Sequence, residues 1–304
     1  MDFEDQILHK LTNTFVLISN NNWDWLAPYV SETHLKRAKK ARKTGGFPGS
    51  QLLESSKLIA WFSTNVVLSH PKLHPIPLGP KWQYFTTEFN GEPKQRIKSI
   101  LDLHTTPSSE FLKQDRPYLI FVNFSVSSTA TPRYAEHTGA REQCLKQLLD
   151  SGLSNGLTTS NKVFEASTPH LPAPSISTTI YHRLLRKKIV RHTESRELRE
   201  AYTRFAIYLK VLQKFKFTLS PPGNGVDAHR TWEALLAGSV PIVIEDPISM
   251  HPLYHGLPVL MVRDCSEITE RFLEEQYATL KRGSWNHDKL FMRYWRKVIT
   301  KASL

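Results

Sequence analysis

Eight residues within a fourteen-residue stretch have the types and spacing for anion chemistry: Ser220, Gly223, Asn224, Gly225, Asp227, His229, Arg230 and Glu233. Glycines let backbone N–H groups approach a phosphate closely, and a helix N-terminus just beyond them adds favourable partial charge. Arg230, in the first turn of such a helix, can present a fork of donors to the same anion. His229 either donates to a phosphate or faces solvent. Glu233, three residues on, shares the face of Arg230 one turn deeper, where a carboxylate could accept from ribose hydroxyls. The bland alternative is a surface Arg230–Glu233 pair worth only about 0.3–0.5 kcal/mol. No Gly-Lys-Ser/Thr follows the turn and the glycines do not stand as G-x-G-x-x-G, so neither a Walker loop nor a dinucleotide fingerprint is present.

The elements around these residues explain how they would be positioned. Phe215 to Leu219 alternates apolar side chains and reads as a strand. Ser220-Pro221-Pro222-Gly223-Asn224-Gly225 breaks it, a helix is expected from about Asp227 as N-cap to Gly238 as stop, and Val240 to Ile244 forms a second strand. Strand, loop, helix and strand make a βαβ unit, which implies a parallel sheet with ligands beyond the carboxyl ends of its strands.

Further strands are expected at Thr14 to Ser19, Leu58 to Thr64 (ended by Asn65), Pro117 to Ser125 and Leu257 to Val262, with a proline-punctuated apolar strand over His70 to Gly79. Helices are expected at Ile97 to Leu103, around Arg141 with Leu145 and Leu148-Leu149, over Tyr181 to Arg191, and from Ser195 through Leu212. Val163 to Ser177 reads as irregular. Asp264 and Glu267 have capping-box spacing for a helix containing Ile268 and Phe272, and a last helix carries Leu290, Phe291, Tyr294, Trp295, Val298 and Ile299. Arg133 and Arg141 follow the strand at Pro117 and suit a phosphate site, with an ordinary exposed arginine as the alternative for each. Asp24, between Trp23 and Trp25, is either a turn or cap residue or a carboxylate in an acceptor pocket. His70 and His74 stand four apart, but the prolines between and after them argue against one helix face holding a metal.

With 304 residues, 40% hydrophobic and 22% charged, the chain can bury one large or two ordinary cores. A formal charge of +12 points to an anionic partner, whether nucleic acid, membrane surface or a phosphorylated small molecule. The run KRAKKARK, Lys36 to Lys43, is a solvated loop or a patch for polyanions. The basic residues are otherwise scattered and no nucleic-acid module is recognisable, so no specific nucleic acid is expected. Cys144 and Cys265 make neither a disulfide framework nor a zinc site, and a reducing compartment is the simplest reading. Apolar runs such as Phe15 to Ile18 are too short for a membrane span and Met1 leads into an acidic, polar stretch, so a soluble cytoplasmic protein is expected.

The segment SPPGNGVDAHRTWEALLAGSVPIVIED resembles the nucleotide-sugar motif of exostosin-like glycosyltransferases, and more closely a compact group that includes a xylosyltransferase of large algal viruses. The likeness extends to WFSTNVVLSHPKLHPIPLG, to YLIFVNFS with a downstream Arg, and to LPVLMVRDCSEIT; FVLISNNNWD matches loosely. The resemblance implies an α/β GT-B fold, two Rossmann-like domains facing across a cleft: 1–107 on the acceptor side, 108–282 for the nucleotide-sugar, and 283–304 as a helix crossing back to the first. It implies that Arg230 and Arg133 or Arg141 neutralise a diphosphate, that Glu233 holds the ribose, and that Ser220, Gly223, Asn224, Gly225, Asp227 and His229 line the donor pocket. It implies a nucleotide-diphosphate sugar, UDP-linked before GDP-linked, transferred to a glycan or glycoprotein hydroxyl. No cofactor or divalent metal is expected, and the chain has no Asp-x-Asp. Two glutamates eight apart, a mark of retaining relatives, are missing around Glu233, which favours inversion with Asp24 or else His70 as the base. The alternatives are a GDP-sugar, fucosyl-type transferase and a non-enzymatic basic protein that binds nucleic acid.

Overall fold

Runs that are apolar at nearly every position need cover on both faces, and parallel sheets provide it. In the computed structural model, which describes residues 7–19, 50–66, 68–80, 112, 114–122, 140–151, 153, 163–165, 208–223, 225–245 and 250–302, such runs form two parallel sheets. The first comprises β1 (Phe15–Ser19), β2 (Leu58–Ser63) and β3 (Leu73–Pro75) in that spatial order. A short helix, α1 (Ser50–Glu54), precedes β2 and packs Leu52 and Leu53 against Leu58, Trp61, Val66 and Leu73. The carboxyl ends of β1 and β2 close with polar groups: Ser19 Oγ accepts from Trp61 Nε1 and donates to Ser63 Oγ, both at 2.9 Å.

The second sheet is built from β4 (Tyr118–Val122), β5 (Val163–Glu165), β6 (Phe215–Leu219), β7 (Val240–Ile244) and β8 (Leu260–Val262), ordered β5-β4-β6-β7-β8 and parallel throughout. Its helices are α2 (Ala140–Asp150), α3 (His229–Leu236), α4 (Met250–Tyr254), α5 (Glu270–Arg282) and α6 (Met292–Ala302). Side chains alternate across this sheet. Ile120, Val122, Phe217, Leu219 and Ile242 meet Cys144 and Leu148 of α2 and Leu273 and Tyr277 of α5. Phe121 faces Leu209 and Leu212 on the other side, and Val243 meets Trp232 of α3. Buried Arg116 ties the layers at the amino ends of β4 and β6, donating to the carbonyls of Gln213 at 2.5 Å and Ala237 at 3.4 Å.

The two sheets meet. Ile76, just past β3, packs into the cluster of Trp232, Leu253, Tyr254 and Trp295, and α6 returns to lie against β2. The chain is thus α/β, two parallel halves with a C-terminal helix crossing back to the first, as expected of the GT-B arrangement. The expected boundary at 107/108, the helices at Ile97 to Leu103 and Tyr181 to Arg191, and the KRAKKARK run lie outside the described residues.

Several local expectations are corrected. Val163–Glu165, within a stretch read as irregular, is the edge strand β5, recruited by pairing with β4 rather than by its own pattern. The α3 helix is entered through Ala228, not Asp227, whose side chain accepts from Leu78 N–H of the first half and from Trp232 and Tyr254 side chains instead of capping the first turn. Gly238 does stop it, in the left-handed region at φ 72°. Asp264 caps only the 3-10 turn Cys265–Glu267, accepting from Ser266 N–H at 2.7 Å. Its expected partner Glu267 turns back to Arg263, and Thr269 caps α5 instead. Cys144 and Cys265 form a disulfide across 121 residues, joining α2 to the turn after β8, so the cysteines do not support a reducing compartment. No helix of the described residues is long and apolar enough to cross a membrane.

Candidate functional site

Strand order decides where a ligand would sit. From β4 the chain moves to β5 on one side, then returns across β4 to β6 and continues outward to β7 and β8. Loops leaving β4 and β6 therefore diverge, and the crevice beyond their carboxyl ends is the switch point at which open parallel sheets take ligands. The 220–228 loop leaves β6 at this point.

One guanidinium rests on that loop, and the charge of a second acts on it. Arg141, in the first turn of α2, donates Nε–H to the carbonyl of Pro222 at 2.9 Å. Its Nη2 lies 2.5 Å from where a Cβ on Gly223 would stand, so any larger residue there would push the guanidinium out of this position. Burial, and then the charge of Arg230, push the Arg141 guanidinium down to about 10. Burial also lowers Arg230, opposed by the charges of Tyr208 and Glu233. Two cations crowded in a partly dehydrated site repel each other, and an anion between them would relieve both penalties. Glu233, only 7% exposed, lies one turn below Arg230 as an interior counter-charge, not as a solvated surface partner.

The remaining residues of the motif hold the loop in place. Ser220, 3% exposed, pairs its hydroxyl with Thr231 Oγ1 at 2.9 Å, linking the end of β6 to the first turn of α3. Gly223 N–H donates to the carbonyl of Gly225 at 3.0 Å, which tightens the turn. A Cβ on Gly225 would overlap the side-chain amide of Asn65, which reaches in from the end of β2. Asp227 is buried with both oxygens engaged. Its Oδ2 accepts from Leu78 N–H at 2.8 Å, its Oδ1 accepts from Tyr254 O–H at 2.5 Å and Ala228 N–H at 2.9 Å, and Trp232 Nε1 reaches both. Burial raises its carboxyl above the ordinary range, against the pull of these donors, and burial next to Asp227 raises Tyr254 well above its own, keeping it a donor. His229 Nδ1 stands 2.7 Å from the carbonyl of Gly79, which fixes the proton on Nδ1.

The structure thus brings Arg141, Ser220, Gly223, Gly225, Asp227, His229, Arg230 and Glu233 together, with Asp227 and His229 directed at the first half. Asp24, Arg133 and Asn224 lie outside the described residues. His70 is half-buried in the turn before β3, where Nδ1 accepts from Lys72 N–H at 3.1 Å. His74 packs its ring against Phe62, and burial lowers its imidazole. Among the described residues no three His, Cys, Asp or Glu side chains gather as a metal cluster.

Sequence reasoning missed Asn65, Thr231, Trp232, Tyr254, and the backbone of Leu78 and Gly79. The one local signal was Asn65 at a strand end, since asparagine tolerates the left-handed region that this residue occupies at φ 54°.

No protein-family model matches the chain, and no curated protein does. Among solved structures it is similar to the pneumococcal O-GlcNAc transferase GtfA in complex with UDP and GlcNAc, at 10% identity, covering 95% of this chain and 53% of that one with a TM-score of 0.35. It is similar also to the GtfA/B complex, at 8% identity, covering 84% of this chain and 48% of that one with a TM-score of 0.34. The chain spans about half the length of these structures. At such TM-scores the likeness carries no argument about the site.

Proposed function

We propose that the chain is a glycosyltransferase that holds a nucleoside-diphosphate sugar against the 220–230 loop, UDP-linked before GDP-linked, and passes the sugar, xylose first among candidates, to a hydroxyl of a glycan. The observation that carries this reading is Arg141 resting on a glycine-bearing loop at the switch point of a parallel sheet with the charge of Arg230 beside it, each lowered by burial and Arg141 further by its neighbour. Two fixed cations suit a diphosphate leaving group, whose charge grows as the glycosidic bond breaks. Arg133, Asn224 and the base, Asp24 before His70, complete the proposal on the strength of the resemblance, as does the ribose role of Glu233. No bound metal is required in this scheme, because the two guanidiniums and the amino end of α3 supply the positive charge.

Thermal shift with a panel of UDP- and GDP-sugars, with and without divalent metal, tests the reading. UDP or a UDP-sugar is expected to raise the melting temperature, and Arg230→Ala to abolish the rise. Failure of every sugar nucleotide to shift the wild type overturns the donor assignment. A larger response to GDP-sugars moves it to the fucosyl-type alternative, and tight, steeply salt-dependent binding of nucleic acid favours the non-enzymatic reading.

A further inference from the structure

Asn65 belongs to the first half, yet it shapes the anion loop of the second. It stands two residues past β2, is 6% exposed, and is the one non-glycine residue at positive φ among the described residues. That conformation aims its amide across the interface. Oδ1 accepts the backbone N–H of Asp227 at 2.9 Å, and the whole amide lies where a side chain on Gly225 would have to go. Gly225 in turn receives the Gly223 N–H, and Gly223 lies against the Arg141 guanidinium. A line of contacts therefore runs from Asn65 through Gly225 and Gly223 to Arg141. Aspartate at 65 would keep the acceptor but bring a second carboxylate beside buried Asp227; the neutral amide avoids that repulsion.

We propose that Asn65 is a positioning residue for anion binding: the first half, through this one side chain, sets the places of Gly225 and Gly223, against which Arg141 lies with the charge of Arg230 beside it. The inference rests on the donor reading of that loop. It means that the pocket is complete only when the two halves are docked, so that anion binding and inter-half contact strengthen each other.

Asn65→Gly tests this, because glycine keeps the left-handed backbone and removes only the amide. Binding of pyrophosphate and of UDP is followed by intrinsic tryptophan fluorescence at about 25 °C, far from unfolding, where loss of stability alone does not move an affinity. The expected result is a Kd about tenfold weaker in Asn65→Gly, the size of one buried hydrogen bond. A second variant keeps the test independent of folding. Gly225→Ala should damage binding and lower Tm in the wild-type background, and do so much less in the Asn65→Gly background, where the overlapping amide is gone. A Kd within twofold of wild type in Asn65→Gly, or equal damage by Gly225→Ala in both backgrounds, overturns this inference alone. A wild type that binds neither pyrophosphate nor UDP overturns the donor reading and this inference with it.

Discussion

The carboxylate of Asp227 accepts the backbone N–H of Leu78 at 2.8 Å, a contact between residues 149 apart that ties the two halves of the molecule at the edge of the glycine-bearing loop. Tyr254, Trp232 and Ala228 supply the other donors, so one buried acidic group organises β3's exit, the start of α3 and the end of α4. Asparagine there would keep the shape but offer donors in place of one acceptor oxygen. Asp227→Asn should cost about 1–3 kcal/mol in urea unfolding. The sign with pH follows from burial, which raises this carboxyl in the folded state. Its stabilisation is full below the ordinary carboxylate range and is lost as pH rises through the raised value. The advantage of wild type over Asp227→Asn should therefore shrink as pH rises from about 4 toward neutrality.

Arg141 is the proposed anion ligand whose own titration is within reach. Held down to about 10 by burial and by Arg230, it stays charged through neutral pH. The ratio of wild-type to Arg141→Met affinity for pyrophosphate, in which the ligand's own proton loss cancels, should hold to about pH 9 and fall beyond about pH 10 as the guanidinium loses its proton. At neutral pH Arg141→Met should weaken binding by about tenfold or more. The apo protein should suffer less than the complex, since the lost bond to Pro222 is offset by relief from Arg230. Calorimetric titration across the pH range checks both.

The Cys144–Cys265 disulfide closes a long loop and staples α2, the helix that carries Arg141, to the turn after β8. Reduction should lower stability by about 2–5 kcal/mol, largely through a less constrained unfolded chain. Intact mass before and after reduction and alkylation establishes the bond, and melting with and without reductant measures its effect. Cys265→Ser should melt like the reduced wild type and no longer respond to reductant.

Lys289, 5% exposed, donates to the carbonyls of His255 at 2.9 Å and Pro252 at 3.2 Å, and burial lowers its ammonium to about 8. Below that value it is charged in both states and the burial cost is present in full. Between about pH 8 and the ordinary lysine range the unfolded chain holds more protons, so this group's contribution to stability rises with pH. Comparing wild type with Lys289→Met from about pH 7 to about pH 9.5 should show that rise in the wild type alone.

The strands at Phe15, Leu58, Tyr118 and Val240 were legible because each is a nearly unbroken apolar run, the mark of a buried parallel strand, and Phe215–Leu219 because its apolar residues alternate. The glycine loop and Arg230 were legible for a similar reason, since loop chemistry is local. Val163–Glu165 was not, because a three-residue edge strand exists only through its partner. Nor were the disulfide, the burial of Glu233 or the fate of Asp227. Asp227 has the type and position of a helix cap, and nothing nearby in sequence reveals that Leu78, 149 residues earlier, competes for it.

Sequence by itself determined that this is an α/β chain with a cationic, glycine-bearing loop inside a βαβ unit, because periodicity and turn chemistry act over a few residues. Tertiary structure alone decided that Arg141 is held on that loop by the carbonyl of Pro222, that Gly225 must yield its space to Asn65, and that the two halves meet through a buried carboxylate. Burial, charge proximity and steric exclusion belong to groups distant in sequence, and they act only after the sheets have packed.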